Sequence, residues 1–209
     1  MARQRSDFGI DDDDIALIAR ELGATDASAV KRAIIAVVNE AIDATQTKAV
    51  RRIQDKVNLT VEYILRHLKV SQRAGPASDT AILSATRRPV LLSRFDARQE
   101  YRASLDRRGR SGSRVRGGVS VSVKPGQRVT MPSAFLLKLK GSGVTGLAVR
   151  PKDKSRFNKR EWKEAANLGY AVLHGPSVDQ LFRAALDDSA IEPDLDALAE
   201  AFIRRLAGV

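Results

Sequence analysis

The sequence predicts an α+β fold: a small, mostly antiparallel sheet with a long N-terminal helix packed across it, and helices at the C-terminus. Apolar residues recur at helical spacing from about residue 26 to 68 and switch to a period of two between about residues 80 and 173. They return to helical spacing after Ser177. Helices, then strands, then helices is the order of a segregated α+β domain. With 209 residues and 43% apolar content the chain can bury a core, and with only 5% aromatics that core must be mostly Val, Ile, Leu and Ala.

Asp11 to Leu22 is a short amphipathic helix candidate, with Ile15, Ile18 and Leu22 on one face. Its aspartates suit the positive end of a helix, and Gly23 would stop it. The Asp11–Asp14 run lacks the spacing and glycine of a calcium loop. A stronger helix is predicted from about Asp26 to Lys48, where Val30, Ala33, Ile34, Val37, Ala41 and Ile42 share a stripe. Val50, Ile53, Val57, Val61, Ile64, Leu65 and Leu68 continue the period, with a break near Asn58-Leu59-Thr60 and Asn58 as a cap. Ser71 to Ser78 reads as a linker.

Thr80–Thr86 and Pro89–Ser93 read as strands. Asp96 to Gly118 is expected to be a mobile loop rich in Arg, Gly and Ser. Val119, Val121 and Val123 then alternate with Ser120, Ser122 and Lys124, so a hairpin is predicted over Val119–Met131 with its turn at Pro125-Gly126 and one face buried. Val144–Arg150 and Tyr170–Leu173 are further strands, and Lys152–Lys163 reads as a basic loop. Ser177 and Gln180 form a capping box before the stripe Val178, Leu181, Phe182, Ala185 and Leu186. A last helix begins near Pro193, carries Leu195, Leu198, Phe202 and Leu206, and ends with Arg204, Arg205 and Gly208.

The net charge is +11, unevenly spread. Residues 1–45 hold 5 basic and 9 acidic side chains, and residues 46–130 hold 19 basic and 6 acidic. Such a block implies an acidic partner, either nucleic acid or an acidic protein surface. Arg107, Arg108, Arg110, Arg114 and Arg116 are the candidate interaction residues, since guanidinium forks suit phosphate or carboxylate. Only Phe95 and Tyr101 lie near them, which argues against recognition of single strands by stacking and leaves non-specific duplex contact open.

Other chemistry is poorly represented. There are no cysteines, which excludes disulfides, thiolate zinc sites and a cysteine nucleophile, and fits a reducing compartment. Gly141-Ser142-Gly143-Val144-Thr145-Gly146 matches a dinucleotide fingerprint in spacing, but the residues after it read as a strand and offer no helix N-terminus to a phosphate. His67 and His174 read as structural or solvent-facing, Trp162 as core packing, and Asp187-Asp188 as a solvated helix end. No catalytic residue, metal site or cofactor is expected. No segment is long and apolar enough to span a membrane and no secretory signal is recognisable, so a soluble protein made in the cytoplasm is expected.

Gly-x-Ser-Val at Gly118, Gly126-Gln127-Arg128, and Pro132 followed by Ala134-Phe135 resemble the core signature of the prophage minor tail protein Z family. Val30–Thr45, Ala81–Phe95 and Leu168–Phe182, with Gly175-Pro176-Ser177-Val178, are similar to its other blocks, so the resemblance covers roughly residues 30–185. The basic insertion after Arg150-Pro151 is longer than that pattern. The resemblance implies a non-enzymatic structural virion protein of a long-tailed bacteriophage. Such a protein would be a tail completion or neck component at the head-proximal end of the tail tube, needed for tail maturation and head–tail joining. It implies a homo-oligomeric ring, expected as a hexamer. The implied partners are the tail terminator, the tail tube or tape measure, and head–tail connector proteins, with channel DNA as a further one and no membrane. The protein would reside in the virion after synthesis in the host bacterial cytoplasm. The alternative is a basic DNA-binding accessory protein. The expected organisation is a helical extension over 1–25, an α+β domain over 26–190 with the arginine-rich loop 96–118, and a C-terminal helix over 191–209.

Overall fold

A computed structural model describes residues 27–105, 111–150, 163, 165, 167–187, 191 and 193–207. The predicted helix Asp11–Leu22, the Lys152–Trp162 stretch and Gly208 lie outside the described residues. The chain forms two compact units, and each draws on separate stretches of sequence. The fold is α+β, with all strand pairings antiparallel.

The first unit takes the chain up to Arg52, then Ile64–Thr86, then everything from Phe182 onward. Its backbone is α1 (Ala27–Lys56), thirty residues with no Gly or Pro to interrupt them. Val30 and Ile34 are buried, and Val38, Phe202 and Leu206 pack against them. Phe202 and Leu206 belong to the last helix, α4 (Leu195–Leu206), so the predicted stripes of the two helices meet. Arg205 adds an ion pair to Glu40 at 2.9 Å. Asp194 caps α4 by accepting from the Ala197 amide.

α1 also holds a two-stranded ribbon. β1 (Leu68–Gln72) pairs with β2 (Ile82–Ala85). Gln46 donates to the Leu68 carbonyl at 2.8 Å. Asn39 closes on Ala74 from both sides, donating to its carbonyl and accepting from its amide, each at 3.0 Å. Ser71–Ser78 is therefore not the free linker expected. It contains the end of β1 and a turn closed between Gly75 and Ser78, and Asn39 fixes it to the helix. No sequence rule pairs an Asn with a backbone 35 residues away.

The second unit takes Ile53–Tyr63 and Arg87–Leu181. The break after α1 falls where the sequence places it, and α2 (Val61–His67) follows. Its cap is Thr60, which accepts from the Tyr63 amide at 3.3 Å, and not Asn58. The Asn58 amide donates instead to the Val123 carbonyl at 2.8 Å.

β3 (Pro89–Leu91) runs into a 3-10 turn at Leu92–Arg94. β4 (Arg98–Leu105), β5 (Ser111–Val121) and β6 (Val129–Met131) form one sheet, and β7 (Ala134–Lys138), β8 (Thr145–Val149) and β9 (Ala171–Val172) another. β10 (His174–Ser177) pairs with β3. The two three-stranded sheets share a core of Val119, Val121, Ala134 and Leu147, ringed by Leu92, Val123, Met131, Leu136, Val149 and Leu173. β7 follows the predicted hairpin closely and is a strand the sequence does not announce, because Ala-Phe-Leu-Leu-Lys has no polar alternation. His174 lies in β10 and is exposed, one of the two environments read for it from the sequence.

The predicted hairpin Val119–Met131 is present, with Val119 opposite Met131 and Val121 opposite Val129. Its expected one-sided burial does not hold. Ser120 is fully buried beside Val119, because both faces of β5 are covered there.

At the C-terminal end of the unit, Ser177 and Gln180 make the predicted capping box. The Ser177 hydroxyl accepts from the Gln180 amide at 3.1 Å, and the Gln180 side chain accepts from the Ser177 amide at 2.9 Å. This starts α3 (Val178–Leu186).

Candidate interaction surface

The region expected to be a loop over Asp96–Gly118 is mostly strand. β4 and β5 form a long hairpin through it, with Arg102 opposite Val115 and Tyr101 opposite Arg116. The stretch Arg-Val-Arg at Arg114–Arg116 alternates polar and apolar, and so does Glu100 to Ala103. That period of two is the available signal, and the density of Arg and Gly masks it.

The five predicted arginines divide accordingly. Arg114 lies on β5 opposite Ala103, and Arg116 lies on β5 opposite Tyr101. Arg107, Arg108 and Arg110 fall within 106–110, outside the described residues. The hairpin adds surface residues that the sequence alone does not single out, namely Arg102, Ala103 and Val115. All three are exposed, as is Tyr101 at 52% of its surface.

The root of the hairpin is built differently. A bulge between Glu100 and Tyr101 places Gly117 as the extra residue on β5. Gly118, at φ 108°, lies hard against the backbone of Met131 and Pro132. Asp96, at φ 47°, makes the turn into β4. Its carboxylate accepts from Arg98 at 3.1 and 3.0 Å and from Arg128. Arg128 also donates to the Asp96 carbonyl and to the Ser120 hydroxyl, each at 3.0 Å. Ser120 in turn donates to the Glu100 carboxylate. The buried Ser120 is thus satisfied on both sides. The hydrogen bond from Arg98 holds the Asp96 carboxyl below the usual carboxylate range, and the charges of Arg128 and Arg98 add to this.

This arrangement separates two kinds of arginine. Arg98 and Arg128 are tied into the root by Asp96. Arg102 and Arg116 lie further out, on exposed strand.

Elsewhere the site chemistry is sparse. The Gly141–Gly146 motif spans the turn between β7 and β8 and runs into β8, to which Thr145 and Gly146 already belong. Gly141 and Gly143 adopt φ 88° and 65°, the Leu139 amide donates to the Val144 carbonyl, and a strand follows. An open cleft of about 390 Å³ is lined by Ser93, Arg94, Ala97, Leu136, Val144 and Thr145, and among these described residues Arg94 is the one titratable side chain, so they supply no acid–base pair. Among the described residues, no group of three or more His, Asp and Glu is placed to hold a metal ion. No described helix is long and apolar enough to cross a membrane.

The family model for prophage minor tail protein Z matches residues 16–196. The chain belongs to that family. The match takes in every described strand and α1 to α3, and it reaches further at both ends than the blocks read from the sequence. As a prophage minor tail protein it has a structural role in a phage tail, belongs to the virion, and contacts other tail or virion components. No curated protein and no solved structure matched the chain.

Proposed function

We propose that this tail protein is a tail completion component at the head-proximal end of the tail tube, acting in tail maturation and head–tail joining without catalysing a reaction. A ring of six copies in the neck is the arrangement that suits a six-fold tail. The tail terminator, the tail tube or tape measure, and the connector proteins are its proposed neighbours. The observation that carries the reading is the family membership, combined with a strand-rich unit that presents exposed arginines on β4 and β5. Subunits of such assemblies need preformed sheets for packing and surface elements that are covered only on assembly.

The candidate residues Arg107, Arg108, Arg110, Arg114 and Arg116 are proposed as assembly contacts. Electron microscopy of particles lacking the gene, scored with infectivity, tests the function. Unjoined heads and tails, or tails defective at the head-proximal end, are expected. Normal infectious particles would sink the proposal. Neutralising Arg107, Arg108 and Arg110 together is expected to reduce head–tail joining, and unchanged infectivity would remove those three from the contact.

The second reading is a DNA-binding accessory protein, favoured by the surplus of basic residues between 46 and 130. It requires duplex binding whose affinity falls steeply as salt rises.

A further inference from the structure

We infer that the free edge of β6 and the apolar cleft beside it form a docking site for an extended, acidic segment of a different tail protein, which adds to the sheet as a further strand. The source of that segment rests on the tail-component reading above, and its chemistry on the geometry of the β4–β5–β6 sheet.

Among the described residues, β6 is the last strand of its sheet. A terminal strand holds part of its N–H and C=O groups out of the ladder, and extended backbone is what matches that row. Proteins often blunt such an edge with a charge. Here the edge carries Val129, exposed over 61% of its surface. Val121, directly opposite, is 3% exposed and belongs to the shared core. Opposed residues in an antiparallel pair lie on one face. The face that is core over β5 is therefore left open over β6. Pro132 follows β6 and has no amide to donate, which confines an added ladder to β6 itself.

A cleft of about 360 Å³ lies beside that face. Its apolar lining is Leu92, Val121, Val123, Val129 and Met131. All but Val129 are part of the shared core or pack on it, so an apolar side chain seated in the cleft extends that core. The remaining lining residues are Gln127 and the exposed Lys124, and none is acidic. The occupant that answers all three features has extended backbone for the edge, an apolar side chain for the cleft and a carboxylate for the Lys124 ammonium. Duplex DNA would answer only Lys124.

The described strands of a second copy do not offer that chemistry. Glu100 on β4 is the one carboxylate among them, and it already accepts from the buried Ser120 hydroxyl. This directs the inference to another polypeptide.

The test uses the full chain and tails purified from particles that lack this protein. Binding is expected to slow amide exchange over residues 129–131 at least about tenfold, because an added strand takes up those groups. A photo-crosslinking benzophenone side chain at position 127 is expected to join the chain to a different tail protein. Val129→Asp sets a charge in the cleft and is expected to bind the tails at least about tenfold more weakly, while Val129→Ile retains most binding. If the Asp variant does not fold, exchange and the crosslink still decide. The proposal is overturned if the parent chain binds tails but exchange over 129–131 is unchanged, if Val129→Asp folds and binds as the parent does, or if position 127 crosslinks only to a second copy, only to added duplex DNA, or to nothing. A parent chain that does not bind the deficient tails at all would instead remove the tail-component reading, and this inference with it.

Discussion

Gly118 is where a single atom decides the geometry of the hairpin. At φ 108° an L side chain is strained, and a Cβ there would lie 2.4 Å from the Met131 carbonyl oxygen and 2.6 Å from the Pro132 Cα. Both are backbone atoms and cannot rotate aside. Gly118→Ala is therefore expected to cost more than about 2 kcal/mol in denaturant unfolding. A loss below about 0.5 kcal/mol, the level of an ordinary surface change, would show that β5 and β6 can part without penalty. Asp96 makes the other residue-scale case. Its folded-state pKa lies below its unfolded value through the hydrogen bond from Arg98 and the charges of Arg128 and Arg98. Its contribution to stability is thus complete above about 3.9 and is lost as pH falls through the lower, folded value. Asn tolerates the positive φ at this position, so Asp96→Asn removes the charge and spares the turn. The difference in unfolding free energy between parent and Asp96→Asn is expected to be small, since the ion pairs are exposed, and to close as pH is lowered. A difference that stayed constant with pH would show that the carboxylate charge contributes nothing.

At the scale of elements, the β4–β5 hairpin changes character along its length. Near the root, Val119 and Val121 are buried in the shared core, while Tyr101, Arg102, Val115 and Arg116 are exposed. Amide hydrogen exchange is expected to be protected at Val119 and Val121, and orders of magnitude faster at Arg102 and Arg116 in the isolated protein, because local opening follows buried contact. Uniform protection along both strands would contradict this gradient. Element boundaries are legible where a local chemical signal exists. The Ser177–Gln180 capping box, the break between α1 and α2, and the Val119–Met131 hairpin all lie where the residues place them. The failures share a cause. β7 lacks alternation because it is apolar almost throughout, and β4 lacks an obvious signal because its described outer residues, Tyr101 to Ala103, are exposed on both faces. Thr60 and not Asn58 is the cap because α2 begins at Val61, which puts the Thr60 hydroxyl within reach of the Tyr63 amide.

For the whole molecule, the charge block and the resemblance to a tail protein are readable from the residues alone, and the family match over residues 16–196 bears the resemblance out. The electron-microscopy outcome proposed above belongs to this scale, since head–tail joining is a property of the assembled particle. The sequence by itself determined the α+β class, the long N-terminal helix, the capped C-terminal helices and the concentration of positive charge between residues 46 and 130. These depend on periodicity, capping and composition, which are local or additive along the chain. Only the tertiary structure decided that Ser120 is buried and satisfied by Arg128 and Glu100, that Asn39 clamps Ala74, and that α4 packs its stripe on α1. It also divided the arginines into those held at the hairpin root and those left on its exposed strands. Each of these is a contact between residues far apart in sequence, and it exists only once strand register and helix packing have set which side chains meet.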